Sequence, residues 1–97
     1  MITGGDKFEK LKIIVFGIVQ GVGFRYTTKA IADNMGIKGI VRNQSDGTVY
    51  IEAQGNSLLL SQFISSIKAP KNPFAKVTKI EVSEIPVKTY NDFSVTY

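Results

Sequence analysis

The stretch "FGIVQGVGFRYTTKAIADNMG", residues 16–36, places three glycines and an arginine where an apolar run gives way to helical spacing. Gly17, Gly21 and Gly23 permit a tight turn and let the backbone come close to a ligand. The N-terminus of the adjoining helix carries unpaired N–H groups and about half a unit of positive charge. Together these groups form a concave set of donors suited to a phosphate. Arg25, in the first helical turn, adds a planar fork that matches the same anion. The residues also suit an ordinary tight turn with Arg25 in solvent, and spacing by itself does not choose between the two. The pattern is not a Walker A loop, which needs Gly-Lys-Ser/Thr. Nor is it the dinucleotide fingerprint, whose last glycine is missing from "GVGFRY".

The chain of 97 residues contains no histidine and no cysteine. That removes histidine general bases, phospho-histidine intermediates, cysteine nucleophiles and the usual zinc sites. Catalysis must come from backbone amides, Arg, Lys, Asn, Ser, Thr, Tyr or the 8 carboxylates. The net charge of +4 points to an anionic partner, either a small phosphate compound or a nucleic acid. Lysines are scattered along the chain, which reads as a solvated surface rather than a nucleic-acid stripe. No apolar run approaches the roughly 20 residues that span a bilayer. "MITGGDKFEKLK" also lacks the apolar centre of a signal peptide. The expectation is a cytoplasmic protein with no membrane association.

The elements that must position these residues are set by periodicity. Residues 1–10 carry a Gly-Gly pair and mixed charge, and are expected to be a flexible leader before one domain over 11–97. "LKIIVFGI" (11–18) reads as a central strand. Phe24, Thr28, Ile31 and Met35 recur at helical spacing, with Gly36 placed as a C-cap. "IKGIVRN" and "TVYIEAQG" read as strands joined by a hairpin through Asp46-Gly47. Asn56 offers an N-cap to a second helix with Leu60, Phe63, Ile64 and Ile67 on one face, ended by Pro70 and Pro73. "KVTKIEVSEI" and "DFSVTY" complete the strands, with Ile80 and Val82 in one phase and Phe93, Val95 and Tyr97 in another. The predicted fold class is α+β, a ferredoxin-like split-βαβ sandwich (βαββαβ plus a C-terminal strand). It has two helices on one face of an antiparallel sheet.

"GIVQGVGFR" and "GIVRNQSDGTVYIEAQG" together resemble the pair of signature motifs of the acylphosphatase family, and the resemblance runs from about Leu11 to Tyr97. It implies an enzyme without metal or cofactor that hydrolyses the carboxyl–phosphate bond of acyl phosphates. By the same resemblance, phosphate is held by Arg25 and by the backbone amides of Gln20, Gly21, Val22, Gly23 and Phe24. The side chains of Val22 and Phe24 remain structural. Asn43 matches the asparagine that orients the attacking water. An amide offers a donor and an acceptor and holds a water without acting as a base. Without the resemblance, Asn43 also fits a turn-capping role beside "QSDG". Arg42, its neighbour, is expected on the opposite face of the strand.

Two positions depart from the family pattern. Ile40 stands where an aromatic residue is common, and Gln44 comes after the asparagine where small hydroxyl residues also occur. The implied partner is a small acyl phosphate substrate, and the chain is expected to be a monomer. Two alternatives stay in view: a nucleic-acid-binding ferredoxin-like module, for which the central strands supply only Phe16 and Tyr50, and a non-catalytic phosphate-binding relative. A last expectation is that the carboxylate of Tyr97 pairs with Arg25.

Overall fold

In the computed structural model, which describes residues 7–97, the chain runs β1 (Phe8–Ile18), α1 (Phe24–Met35), β2 (Lys38–Asn43), β3 (Val49–Asn56), α2 (Ser57–Lys68), β4 (Lys76–Ile85) and β5 (Phe93–Thr96). The strands form one sheet in the order β4-β1-β3-β2-β5. The first four pair antiparallel, giving the expected split-βαβ core. The C-terminal strand β5 instead lies parallel to β2, so the sheet is mixed. To reach that far edge, the chain after β4 crosses the sheet on the face away from the helices. There the Lys88 N–H and carbonyl pair with the side-chain amide of Gln54.

Alternation along the strands separates the two faces. Val49, Ile51 and Ala53 of β3, with Ile13 and Val15 of β1 and Val41 of β2, are fully buried beneath the helices. Phe24, Thr28 and Ala32 of α1, with Leu60, Phe63 and Ile67 of α2, close over them. Phe93 of β5 joins this core, its ring centroid 6.2 Å from that of Phe63. The helix ends match the sequence reading. Gly36 caps α1 with φ 69°, and the Asn56 side chain accepts the Leu58 N–H at 2.8 Å to start α2. Val82, expected in phase with Ile80, stays 46% exposed because β4 is the sheet edge.

Two expectations about β1 need correction. The strand starts at Phe8, which lies opposite Asn56, so residues 8–10 belong to the sheet rather than to a leader. Residues 1–6 of that expected leader lie outside the described residues. Gly17, read both within the strand 11–18 and among the turn glycines, belongs to the strand: the register against β4 shifts between Phe16 and Gly17. Such a bulge bends a strand and re-aims the residues after it. Gly17 has φ 132°, and a Cβ there would sit 2.0 Å from the Lys76 carbonyl oxygen. Only glycine fits.

The face away from the helices is held by one buried charge pair. Lys10, 5% exposed, lies with its Nζ 3.2 Å from Glu52 Oε1. Glu52 also accepts from the Tyr50 hydroxyl at 2.6 Å and from the Tyr90 hydroxyl. Burial works to raise the Glu52 pKa, but hydrogen bonds from Tyr50, Tyr90 and Lys10 outweigh it and bring it down from 4.5 to about 2. For the Tyr50 phenol, burial and the bond to Glu52 push the pKa up to about 12. Tyr90 belongs to the segment that leads into β5, so this cluster fixes where β5 can dock.

Gly17→Ala should lower stability by about 2–4 kcal/mol, read as a fall in denaturant midpoint, because the methyl group meets main chain and not a movable side chain. An unchanged midpoint would show that β4 can move aside. Because folding depresses the Glu52 pKa, its contribution is complete above pH 4.5 and is lost as pH falls toward 2. Glu52→Gln should be less stable than the parent near neutrality yet lose less on acidification to about pH 3. Equal acid sensitivity of the two proteins would remove Glu52 from that role.

Candidate anion-binding site

Leaving β1 beyond the bulge, the chain turns through residues 19–23 into α1. Gly21 (φ 73°) and Gly23 (φ 79°) both adopt the left-handed conformation, which side-chain-bearing residues adopt only with strain. Gly23 is the N-cap of α1, and no side chain caps it. The first acceptor role in the helix falls to the Gly23 carbonyl, which takes the Thr27 N–H and hydroxyl, each at 3.1 Å. No acidic residue lies in the first turn. The N-terminal N–H groups and the helix dipole are therefore left for an exogenous anion. Val22 packs against the core and Phe24 is 1% exposed, so their side chains anchor the loop while their amides belong to it.

Arg25 stands beside this nest, and β5 holds it there. Its Nη1 donates to the Thr96 carbonyl at 3.3 Å, and its guanidinium carbon lies 4.8 Å from the centroid of the Tyr97 ring. The Tyr97 hydroxyl in turn lies 2.7 Å from that of Tyr26. The expected ion pair between Arg25 and the Tyr97 carboxylate is not what forms: the main-chain carbonyl and the aromatic ring take its place. Neither contact neutralises the charge. Arg25 makes no ion pair among the described residues, so its fork keeps its full charge for an anion.

Asn43 is the last residue of β2, paired with Val49. It shares the helix-covered face with Val41, while Arg42 lies on the other face with its guanidinium 4.3 Å from the Tyr50 ring centroid. Arg42 is therefore placed as its alternation predicts, half-buried on an aromatic ring. Asn43 Oδ1 is buried with no hydrogen-bond partner, one of two such side-chain atoms among the described residues. The turn-capping alternative fails here. Asp46 performs that task, accepting the Thr48 hydroxyl at 2.5 Å and the Thr48 N–H at 3.0 Å. Those two bonds, the hydroxyl first, hold the Asp46 carboxyl below its ordinary pKa.

Two sets of contacts bring the loop, Arg25 and Asn43 together. The Gln20 side chain donates to the Gln44 carbonyl at 2.7 Å and to the Thr48 carbonyl at 2.8 Å, fastening the glycine loop to the connection that begins beside Asn43. Thr96, which holds Arg25, is the register partner of Arg42, one residue before Asn43. Gln44, a departure from the family pattern, donates its Nε2 to Thr48 Oγ1 at 2.9 Å and so stiffens the same connection. Sequence reasoning placed Gln20 here for its backbone amide and missed the reach of its side chain. It also missed Thr96 and Asn72, whose side-chain Nδ2 donates to the Val22 carbonyl. No motif marks them, because the accepting groups are main-chain carbonyls that any residue supplies.

The donors collected here are N–H groups and a guanidinium, a set suited to an anion and not to a metal cation. Among the described residues no cluster of His, Cys, Asp or Glu is arranged to hold a metal, and no helix is long and apolar enough to cross a membrane.

Comparison with known proteins gives a consistent result. The sequence profile of the family described as Acylphosphatase matches residues 11–95. The acylphosphatase of Ligilactobacillus salivarius is 98% identical over 89 residues, covering 92% of this chain and 99% of that protein. That of Lacticaseibacillus paracasei is 46% identical over 86 residues, or 88% and 92% of the two chains. The crystal structure of acylphosphatase from Bacillus subtilis superposes with a TM-score of 0.88 at 40% identity, covering 94% of this chain and all of that one. By profile, sequence and fold alike, the chain belongs to the acylphosphatase family.

Proposed function

We propose that this chain hydrolyses acyl phosphates by in-line attack of a water oriented by Asn43 on a phosphate held by Arg25 and the backbone amides of residues 20–25. The observation that carries this reading is the pairing of an uncapped, charge-bearing nest with a buried, partnerless amide oxygen at Asn43. The nest receives the dianionic phosphoryl group, and Arg25 adds a bidentate contact that strengthens as charge builds on the equatorial oxygens. Asn43 Oδ1 accepts one proton of a water and thereby aims its lone pair at phosphorus. The new P–O bond forms as the bond to the acyl oxygen breaks, and the electron pair leaves on a carboxylate.

That leaving group is stable as an anion and needs no general acid. The proton of the attacking water passes to a phosphate oxygen, so the absence of histidine from the sequence is no obstacle. Phosphoryl transfer of this kind depends mainly on positioning and on charge stabilisation, which fixed amides and one arginine supply. The acyl group projects from the nest, and we infer that the protein works in the cytoplasm as a monomer without cofactor or nucleic-acid partner. Phe16 and Tyr50, the two aromatic residues a single strand would stack on, are each covered by a cation: Lys79 at 5.0 Å and Arg42 at 4.3 Å from the ring centroids.

Turnover of benzoyl phosphate in the presence of a chelator tests the reading. Asn43→Ala should lower kcat by about 100-fold or more while inorganic phosphate still binds, since only the water is lost. Undiminished turnover in that variant would end the water-orienting role. Arg25→Ala and Arg25→Lys should both weaken phosphate inhibition and turnover by at least about 100-fold, because a point charge does not reproduce the fork. Competitive inhibition by phosphate that survives both changes would move the anion away from Arg25.

A further inference from the structure

Resting on the reading that residues 20–25 hold the phosphate, we propose that Asn72 is a positioning residue for this nest. It acts by holding the Val22–Gly23 peptide in the orientation that turns the Gly23 N–H inward. Asn72 lies in the connection between α2 and β4, far from either motif in sequence. Its Nδ2 donates to the Val22 carbonyl, and the position of a Cβ on Gly23 lies 3.8 Å from the same nitrogen. Its side chain thus rests against the peptide that closes the nest.

Planarity turns that contact into a constraint on the opposite side. In a trans peptide the carbonyl and the adjoining N–H point in opposite directions, and the described chain contains no cis bond. Fixing the Val22 oxygen on the Asn72 side sends the Gly23 N–H the other way. The conformational freedom that lets Gly21 and Gly23 adopt positive φ also leaves this peptide free to rotate unless something holds it. The orientation of the Asn72 amide is itself settled. Its Oδ1 accepts the Phe74 N–H at 2.9 Å, and its carbonyl accepts the Ala75 N–H at 3.2 Å. With Oδ1 committed to that turn, Nδ2 is the atom presented to Val22.

Asn72→Ser separates the nest from the turn. A serine hydroxyl accepts from the N–H two residues on, keeps the site neutral and is too short to reach Val22. The dissociation constant of inorganic phosphate, read by NMR titration, should rise about tenfold, and KM for benzoyl phosphate should rise with it. kcat should fall by no more than KM rises, because the Gly23 N–H serves bound substrate and transition state alike while Asn43 and its water are untouched. Thermal midpoint should remain within about 2 °C of the parent. Asn72→Asp, which keeps the turn more fully, is the second variant should the serine protein fold poorly; in it the affinity loss should persist at high salt, where added charge is screened. Parent-like phosphate affinity in both variants overturns the proposal, as does a kcat loss larger than the KM effect. If the parent does not hydrolyse benzoyl phosphate, the catalytic reading fails, and the phosphate titration alone still decides the role of Asn72.

Discussion

The bonds from the Gln20 side chain to the carbonyls of Gln44 and Thr48 are the constraint on which the site depends. The anion nest and water-orienting amide proposed here would be useful only at a fixed separation, since a misplacement of about 1 Å can cost 100-fold in rate. The nest belongs to the β1–α1 turn and the amide to the end of β2, elements joined in sequence only through α1. A single side chain with two donors closes the gap. It does so with main-chain acceptors, so the tie survives changes in the side chains it contacts.

A second dependency runs through the sheet. Arg25 is held by the carbonyl of Thr96 and the ring of Tyr97, at the end of β5. That strand is held by its pairing with β2 and by Phe93 in the core, and the segment before it is pinned across the sheet by Tyr90 on Glu52 and by Lys88 on Gln54. The buried pair of Lys10 and Glu52, on the sheet face away from the helices, is therefore connected through Tyr90 and β5 to the residues that hold the arginine. Such a pair is not by itself a strong source of stability, because desolvation offsets much of the attraction. Its value here is in specifying one docking geometry for the edge strand.

Much of this was legible in the sequence, and the exceptions share a cause. The span of α1 was set by Phe24, Thr28 and Met35 at helical spacing with Gly36 beyond, and the structure repeats it from Phe24 to Met35. Family motifs brought Arg25 and Asn43 forward, and the fold brings them to the same end of the sheet. The start of β1 was misread because Lys10 and Glu9 look like solvent residues until the Glu52 carboxylate is found beside Lys10, diagonal to its register partner Gln54. Periodicity gives a strand no direction, so β5 could be recognised from Phe93 and Val95 without its parallel pairing being visible. Gly17 looked like part of the turn because glycine serves a turn and a bulge equally well, and only the Lys76 carbonyl distinguishes them. Each miss turns on a pairing between residues distant in sequence, which leaves no local signature.

The uncapped glycine loop also bears on how the protein endures. If the loop holds phosphate as proposed, a ligand that binds only the folded chain favours that form by mass action. Substrate and phosphate would then be folding ligands as well as reactant and product, and the folded population would follow the supply of the compounds the enzyme consumes and releases.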